Sequence, residues 1–104
     1  MSSPSPLRIE ERVESSGLRV ALTGELDLAT KGELRRRLFR ARTRGDDVVL
    51  DLAGLEFIDA AGAGMLIRAF ADSARHGWNL SLAPDMPPQV ARVLDLVGLE
   101  RPSA

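Results

Sequence analysis

The chain has 104 residues, 44% of them hydrophobic, which is enough to bury one core as a single small domain. It has no cysteine and one histidine, so disulfides, thiolate nucleophiles and Cys-type zinc sites are excluded and a His-based metal site is not expected. The 14 basic and 15 acidic residues give a net charge of -1, which argues against binding to bulk nucleic acid. No apolar run approaches the roughly 18 residues of a membrane span and the first residues lack a signal pattern, so we expect a cytoplasmic protein without a cofactor.

The first part of the chain predicts a β-hairpin. Residues 1–6 are rich in Ser and Pro and are expected to be a disordered tail. Residues 7–14 alternate between mostly apolar and charged side chains, which is typical of a half-buried strand near a sheet edge. Residues 15–17 form a turn, and residues 18–23 alternate again, so the two runs are predicted to pair as a hairpin.

An arginine-rich helix is predicted over residues 29–43, after a loop at residues 24–28 in which Asp27 is the expected N-cap. Its core stripe comprises Leu34, Leu38 and Ala41. The other faces carry six arginines: Arg35, Arg36, Arg37, Arg40, Arg42 and Arg44. Because these surround the helix rather than line one stripe, they favour a solvated helix, or a rim for an acidic protein partner, over DNA or RNA.

The second half predicts two strands that alternate with two helices. An apolar run at residues 48–52, interrupted only by Asp51, indicates a buried central strand, and a helix is predicted over residues 60–75, ended by Gly77. Residues 78–82 alternate as a further strand. A loop at residues 85–88 then leads into a third helix, which Gly98 closes and whose core stripe comprises Val90, Val93, Leu94 and Val97.

The resulting order, β-β-α-β-α-β-α, predicts an α/β fold. We expect a mixed sheet of four or five strands with the helices packed on it. The sequence contains no linker or internal repeat, so one domain is expected over residues 7–100, with a tail at residues 101–104.

The predicted second helix has an outward face of small residues. At about 100° per residue, its core face is expected to hold Ala63, Leu66, Ile67, Phe70 and Ala74. The opposite side is expected to hold Ala61, Met65, Arg68 and Asp72. Ala61 and Met65, with Gly62 and Gly64, would then form a small, partly apolar surface. This is a candidate protein-binding surface, although exposed Ala and Met are also ordinary on helices.

Two acidic residues near predicted helix starts have alternative interpretations. Asp59 is expected to cap the second helix, which is worth about 1 kcal/mol. Asp27 and Asp59 could instead form a carboxylate pair for acid–base chemistry, but no suitably spaced His, Lys or Cys joins them. The nearby Gly62-Ala63-Gly64 lacks the Gly-Lys-Ser ending of a nucleotide-binding loop, so ATP binding there is rejected.

The segment over residues 48–64, which ends in Asp59-Ala60-Ala61-Gly62-Ala63-Gly64, resembles the central motif of STAS domains. Three further pieces match the family in order: Gly24-Glu25-Leu26-Asp27, then Gly77 before the late strand, then the last helix over residues 90–99. The resemblance covers roughly residues 7–100. The chain is similar to the anti-sigma factor antagonists of this family (sporulation IIAA-like).

The resemblance implies a non-enzymatic role in partner switching. In that family the antagonist binds an anti-sigma factor, a GHKL-type serine kinase, so that a sigma factor is released to RNA polymerase. The kinase can phosphorylate a Ser or Thr in the pattern Asp-Ser-Ser/Thr-Gly and so end the interaction. That pattern is Asp59-Ala60-Ala61-Gly62 here, so the phosphoacceptor position is Ala61, which has no hydroxyl. The residues expected to bind the partner are Asp27, Asp59, Ala60, Ala61, Gly62, Gly64, Met65 and Arg68.

Ala61 leaves two interpretations open. The chain is either an antagonist that is permanently competent to bind, or a divergent member whose partner is not a kinase. STAS domains also serve in scaffolds, transporter tails and lipid-transport complexes, so a structural subunit is the alternative function. A small enzyme built on Asp27 and Asp59 is the third hypothesis.

Overall fold

The computed structural model describes residues 6–99 and contains four strands and three helices in the predicted order. The elements are β1 (Leu7–Glu14), β2 (Gly17–Leu26), α1 (Lys31–Arg44), β3 (Val48–Ile58), α2 (Ala60–His76), β4 (Leu80–Leu82) and α3 (Pro88–Leu96). The strands form one sheet in the order β1-β2-β3-β4, with β1 antiparallel to β2 and the other neighbours parallel. The predicted mixed α/β sheet is therefore confirmed. Of the expected tails, residues 1–5 and 101–104 lie outside the described residues.

The hairpin of β1 and β2 forms as predicted, with a two-residue connection between the paired Glu14 and Gly17. β2 runs to Leu26, so the expectation of a loop from residue 24 was wrong. Gly24 makes this extension possible because it adopts a positive φ of 100°. The carbonyl of Pro6 then accepts a hydrogen bond from the amide of Glu25 at 2.6 Å.

β3 is more than twice as long as the predicted central strand because two irregularities lie in its pairing with β2. The register with β2 shifts between Ala21 and Thr23 and again between Gly24 and Glu25. Each shift places one extra residue in β3, as in a β-bulge. Leu52, Leu55 and Ile58 therefore all face the core, although they are spaced by three residues rather than two.

The core stripe of α1 is confirmed, since Leu34, Leu38 and Ala41 are all buried. The helix begins at Lys31 rather than at residue 29, and Asp27 is not its N-cap. The reason is a turn before the helix, in which Asp27 Oδ1 accepts hydrogen bonds from the amides of Ala29 at 3.0 Å and Thr30 at 3.1 Å.

The buried face of α2 differs from the predicted one. Met65 was expected to point outward, but its side chain is only 3% exposed. α1 lies alongside α2, with Arg42 Nη1 3.1 Å from Asp72 Oδ2, and it covers the side of α2 that the helical wheel left to solvent. Gly62 is also buried, whereas Ala74 is exposed, so the predictions for these residues were wrong as well. Ile67 and Phe70 are half-buried.

The last strand is shorter than predicted because Trp78 closes α2 instead of starting β4. Its amide donates to the carbonyl of Ser73 at 3.3 Å, and the hydroxyl of Ser73 donates back to the carbonyl of Trp78 at 2.6 Å. Gly77 ends the helix with a positive φ of 70°, as predicted. In α3, Val90 and Leu94 are buried and Val93 and Val97 are half-buried, in agreement with the predicted stripe.

Candidate functional site

The candidate site lies where β2 and β3 end and α2 begins. Leu26 and Ile58 are paired at the carboxyl ends of these two parallel strands. The amide of Asp59, the next residue along the chain, donates to the carbonyl of Leu26 at 3.3 Å. The carboxyl ends of parallel strands are where open α/β sheets usually bind their partners or ligands.

Asp59 caps α2 as predicted. Its Oδ1 accepts a hydrogen bond from the amide of Gly62 at 2.8 Å, and its carbonyl accepts one from the amide of Ala63 at 2.9 Å. Asp59 has the extended backbone conformation of an N-cap residue, and it is half-buried. The Asp59 carboxylate therefore satisfies one of the backbone amides that the first turn of α2 leaves without a helical acceptor.

The two glycines of this turn have different roles. A Cβ at Gly62 would collide with the backbone carbonyl of Leu26, so the helix start can approach the end of β2 only without a side chain. A Cβ at Gly64 would meet only the guanidinium of Arg68, with Nη1 3.5 Å away. Gly62 is therefore needed for packing, while Gly64 lies beside open space that Arg68 borders.

Ala60 is exposed and Ala61 is half-buried at the start of α2. Two exposed apolar side chains lie near the ends of the two strands: Phe57, 47% exposed, precedes Ile58 in β3, and Leu28, 69% exposed, follows two residues after Leu26 of β2. The sequence analysis did not include these two residues in the site. For Phe57 the sequence does contain a signal, because successive side chains of a strand point to opposite faces. Ile58 faces the core, so Phe57 faces away from it. We call the group formed by Asp27, Leu28, Phe57, Asp59, Ala60 and Ala61 the α2 corner.

Asp27 is held in the loop that enters α1. The buried hydroxyl of Thr30 accepts a hydrogen bond from the amide of Asp27 at 3.0 Å and donates one to the carbonyl of Glu25 at 2.9 Å. All the hydrogen bonds to the Asp27 side chain go to Oδ1, so Oδ2 has no hydrogen-bond partner within residues 6–99. The side chain organises a turn, as Asp59 organises a helix start, and neither carboxylate is set up as a catalytic acid or base.

Six of the eight residues predicted to bind a partner are accessible in the structure. They are Asp27, Asp59, Ala60, Ala61, Gly64 and Arg68. The other two, Gly62 and Met65, are buried and serve the packing of α2. Within the described part of the chain, no cluster of acidic and His side chains is placed to hold a metal ion, and no helix is long and apolar enough to span a membrane.

A second polar centre joins α1, α2 and the start of β4 at Asp72. Its Oδ2 accepts a hydrogen bond from the indole Nε1 of Trp78 at 2.9 Å and lies 3.1 Å from Arg42 Nη1, while its Oδ1 lies 3.0 Å from His76 Nδ1. The indole hydrogen bond, followed by the charges of Arg42 and His76, lowers the pKa of Asp72 below its ordinary value. This ionised carboxylate fixes Trp78 against the two helices.

Comparisons with known proteins agree on one family. Residues 9–101 match the family model described as "Mlab, STAS domain". An anti-sigma F factor antagonist from Paenibacillus polymyxa is 33% identical over 95 residues, which cover 89% of this chain and 80% of the relative. An anti-sigma-B factor antagonist from Bacillus subtilis is 22% identical over 94 residues, which cover 90% of this chain and 85% of the relative.

The fold agrees with a solved structure as well. The crystal structure of an anti-sigma factor antagonist from Mycobacterium paratuberculosis superposes with a TM-score of 0.80 at 20% identity, over 95% of this chain and 84% of that one. At this identity the likeness concerns the fold alone. The family match and the 33% identical relative show that the chain belongs to the STAS domain family, among the non-enzymatic anti-sigma factor antagonists.

Proposed function

We propose that this chain binds an anti-sigma factor of the GHKL kinase type and thereby releases a sigma factor, and that phosphorylation at residue 61 does not end the binding. The observation that carries the proposal is the α2 corner of an antagonist-like STAS domain with Ala61 at the phosphoacceptor position. The α2 corner is the predicted contact surface for the partner.

The chemistry of the α2 corner fits a protein interface. Leu28 and Phe57 supply exposed apolar area at its edge, and such area on a soluble domain marks interaction sites. The small side chains of Ala60 and Ala61 let a partner approach the backbone of the helix start closely. The Oδ2 of Asp27, which no described residue hydrogen-bonds, supplies an acceptor for a cationic or N–H group of the partner.

The effect of a phosphate at residue 61 explains why the missing hydroxyl matters. A phosphoserine would add about -1.5 to -2 charges two residues after the cap residue Asp59. The helix N-terminus would tolerate that charge in water. A partner packed on Ala61 would have to remove the water from it, which is costly for an unpaired charge. With alanine there, the contact surface stays unchanged whether or not a kinase is active.

The test uses the purified full chain and each GHKL-type anti-sigma factor encoded in its source genome. We expect calorimetry to find one that binds, and we expect addition of the chain to restore transcription by RNA polymerase and the matching sigma factor. Incubation with that kinase and ATP should leave the wild-type chain bound. The Ala61→Ser variant should gain a phosphate at residue 61 and then lose binding. Absence of binding to every such anti-sigma factor would contradict the proposal.

A second candidate function is a structural STAS subunit of a scaffold or lipid-transport complex, with a partner that is not a kinase. The lack of a hydroxyl at residue 61 favours it, because such a subunit needs no phosphorylation switch. Affinity purification from the native host with mass spectrometry distinguishes the two functions. A stable stoichiometric partner without GHKL features would support the structural subunit and overturn the first proposal.

A further inference from the structure

A groove between α1 and α2 lies outside the α2 corner and has no role in the proposed function so far. Its cavity has a volume of about 250 Å³. We call it the arginine groove. It is lined by Arg35, Leu38, Phe39, Arg42, Met65, Arg68, Ala69, Asp72 and Trp78.

The floor of the arginine groove is apolar and fixed. Leu38 and Met65 are each only 3% exposed and belong to the core cluster. The indole of Trp78 forms one wall and is held by its hydrogen bond to Asp72. A partner side chain can therefore enter a preformed apolar cavity without reorganising it, which lowers the cost of binding.

The rim of the arginine groove carries positive charge that the described part of the chain does not neutralise. Arg42 is paired with Asp72 at 3.1 Å, but no carboxylate of residues 6–99 lies within 4.0 Å of Arg35 or Arg68. Phe39 stands beside these arginines with 63% of its surface exposed, and the guanidinium of Arg42 lies 5.9 Å from its ring centre. Exposed aromatic and arginine side chains around a buried Met are typical of the central residues of protein interfaces.

We propose that the arginine groove binds an acidic segment of a protein partner, with one large apolar side chain of that segment in the cavity. The volume suits one or two side chains and is below the roughly 300–1,000 Å³ of usual small-molecule sites. Carboxylates of the segment would neutralise Arg35 and Arg68. The proposal rests on the proposed function in assigning both surfaces to the same partner.

Continuity along α2 supports a shared partner. The guanidinium of Arg68 extends over Gly64, one turn after the start of the helix, so the rim of the arginine groove reaches towards the α2 corner. The α2 corner offers carboxylates from Asp27 and Asp59, and the arginine groove offers guanidinium groups that no carboxylate of residues 6–99 pairs with. A partner that spans both must therefore carry acidic residues on the part that meets the groove, because like charges in an interface are unfavourable.

A nucleic-acid backbone suits the arginine groove less well than an acidic segment. Four of the six arginines on α1 are already paired with carboxylates in the structure: Arg36, Arg37, Arg42 and Arg44. The two that remain, Arg35 and Arg40, are few for a strand that carries one charge per phosphate. The net charge of -1 also argues against a nucleic-acid partner.

The test uses the emission of Trp78, the one tryptophan of the chain, which lies in the wall of the groove. Short peptides are selected from a phage-displayed library on the immobilised full chain and then titrated against it. We expect the selected peptides to combine Asp or Glu with Leu or Phe and to shift the emission of Trp78. Binding should weaken about tenfold or more in an Arg35→Glu/Arg68→Glu double variant and should fall with added salt.

The controls separate charge from folding. Arg35 and Arg68 are exposed and have no carboxylate of residues 6–99 within 4.0 Å, so circular dichroism of the double variant should show an unchanged fold. Arg92→Glu, on the exposed side of α3, is the same charge reversal as each substitution of the double variant. It lies outside the groove and should leave binding unchanged. A peptide with Lys in place of its acidic residues should not bind.

Several outcomes would overturn the inference. Selected peptides that are basic or purely apolar, peptides that bind the double variant as they bind the wild type, or a library that yields no peptide shifting Trp78 emission would each contradict it. The inference is also contradicted if only anionic lipid vesicles or single-stranded RNA shift the emission of Trp78 in a way that depends on Arg35 and Arg68.

Binding of the anti-sigma factor distinguishes this inference from the proposed function. If the double variant binds it normally and Ala61→Glu does not, the groove assignment fails alone, whereas acidic peptides in the groove without any anti-sigma factor binding would overturn only the proposed function.

Discussion

The carbonyl of Leu26 occupies the space that a Cβ on Gly62 would need. This contact, with the hydrogen bond from the amide of Asp59 to the same carbonyl, attaches the start of α2 to the end of β2. The position of the α2 corner therefore depends on a backbone approach that only glycine permits.

Gly62→Ala should lower the free energy of unfolding by roughly 1–3 kcal/mol, because the new Cβ forces backbone away from backbone in a packed region. Gly64→Ala is the matched control in the same helical turn. It should be neutral or stabilise by about 0.5–1 kcal/mol, since its Cβ meets only a flexible guanidinium and alanine favours the helix. Urea denaturation followed by Trp78 emission measures both, and equal effects of the two substitutions would contradict the role given to Gly62.

The cap of α2 predicts a different pattern at Asp59. Asp59→Ala should cost about 1 kcal/mol of stability, because the amide of Gly62 loses its acceptor. Asp59→Asn keeps an acceptor and should retain most of that stability. Equilibrium denaturation of both variants checks this, and a loss as large for Asn as for Ala would show that the charge, and not the cap, is what matters.

Acidification should remove the contribution that the ionised Asp72 side chain makes to the stability of the fold. The pKa of this carboxyl is lowered in the folded chain, chiefly by the indole hydrogen bond from Trp78 and then by Arg42 and His76. Its contribution to stability is thus complete above its unfolded pKa of about 4 and is lost as the pH falls through the lower folded pKa. The denaturation midpoint of the wild type should fall more steeply below that pH than the midpoint of Asp72→Asn. Parallel pH profiles for the two chains would rule out this role.

The exposed apolar side chains of the α2 corner should matter for binding and not for folding. Leu28→Ser should leave stability within about 0.5 kcal/mol, because the side chain is mostly in water already. The same change should weaken binding of the anti-sigma factor about tenfold, since it removes apolar area from the interface. Leu96→Ser, at a leucine of α3 that is 80% exposed, is the control and should bind normally. Equal binding by both variants would remove Leu28 from the interface.

The sequence predicted the element types and order because its periodicities are strong. The stripe of Leu34, Leu38 and Ala41 and the cap Asp59 appear in the structure as expected. The length of β3 could not be predicted, because its two irregularities change the spacing of buried residues from two to three. A spacing of three within a strand does not resemble the alternation by which strands are identified.

The outward face of α2 was predicted only in part, for a reason that lies in tertiary packing. A helical wheel locates the side that faces the sheet, but it contains no information about a second helix. α1 covers Met65, and this contact creates the floor of the arginine groove. The exposed Phe57 was missed because an apolar residue in a strand is read as core unless the strand register is known. Leu28 was missed because it lies in a turn, where no periodicity shows which way a side chain faces.

The most direct test of the α2 corner is the dissociation constant of its anti-sigma factor for Ala61→Glu and for Ala74→Glu. Both substitutions add one negative charge to α2, the first at its start and the second at its exposed far end. Glutamate in the first turn favours the helix, so Ala61→Glu should fold normally. We expect it to weaken binding about a hundredfold, because an interface at residue 61 would bury an unpaired charge, while Ala74→Glu binds like the wild type. Equal affinity of the two variants would contradict the assignment of the partner to this corner.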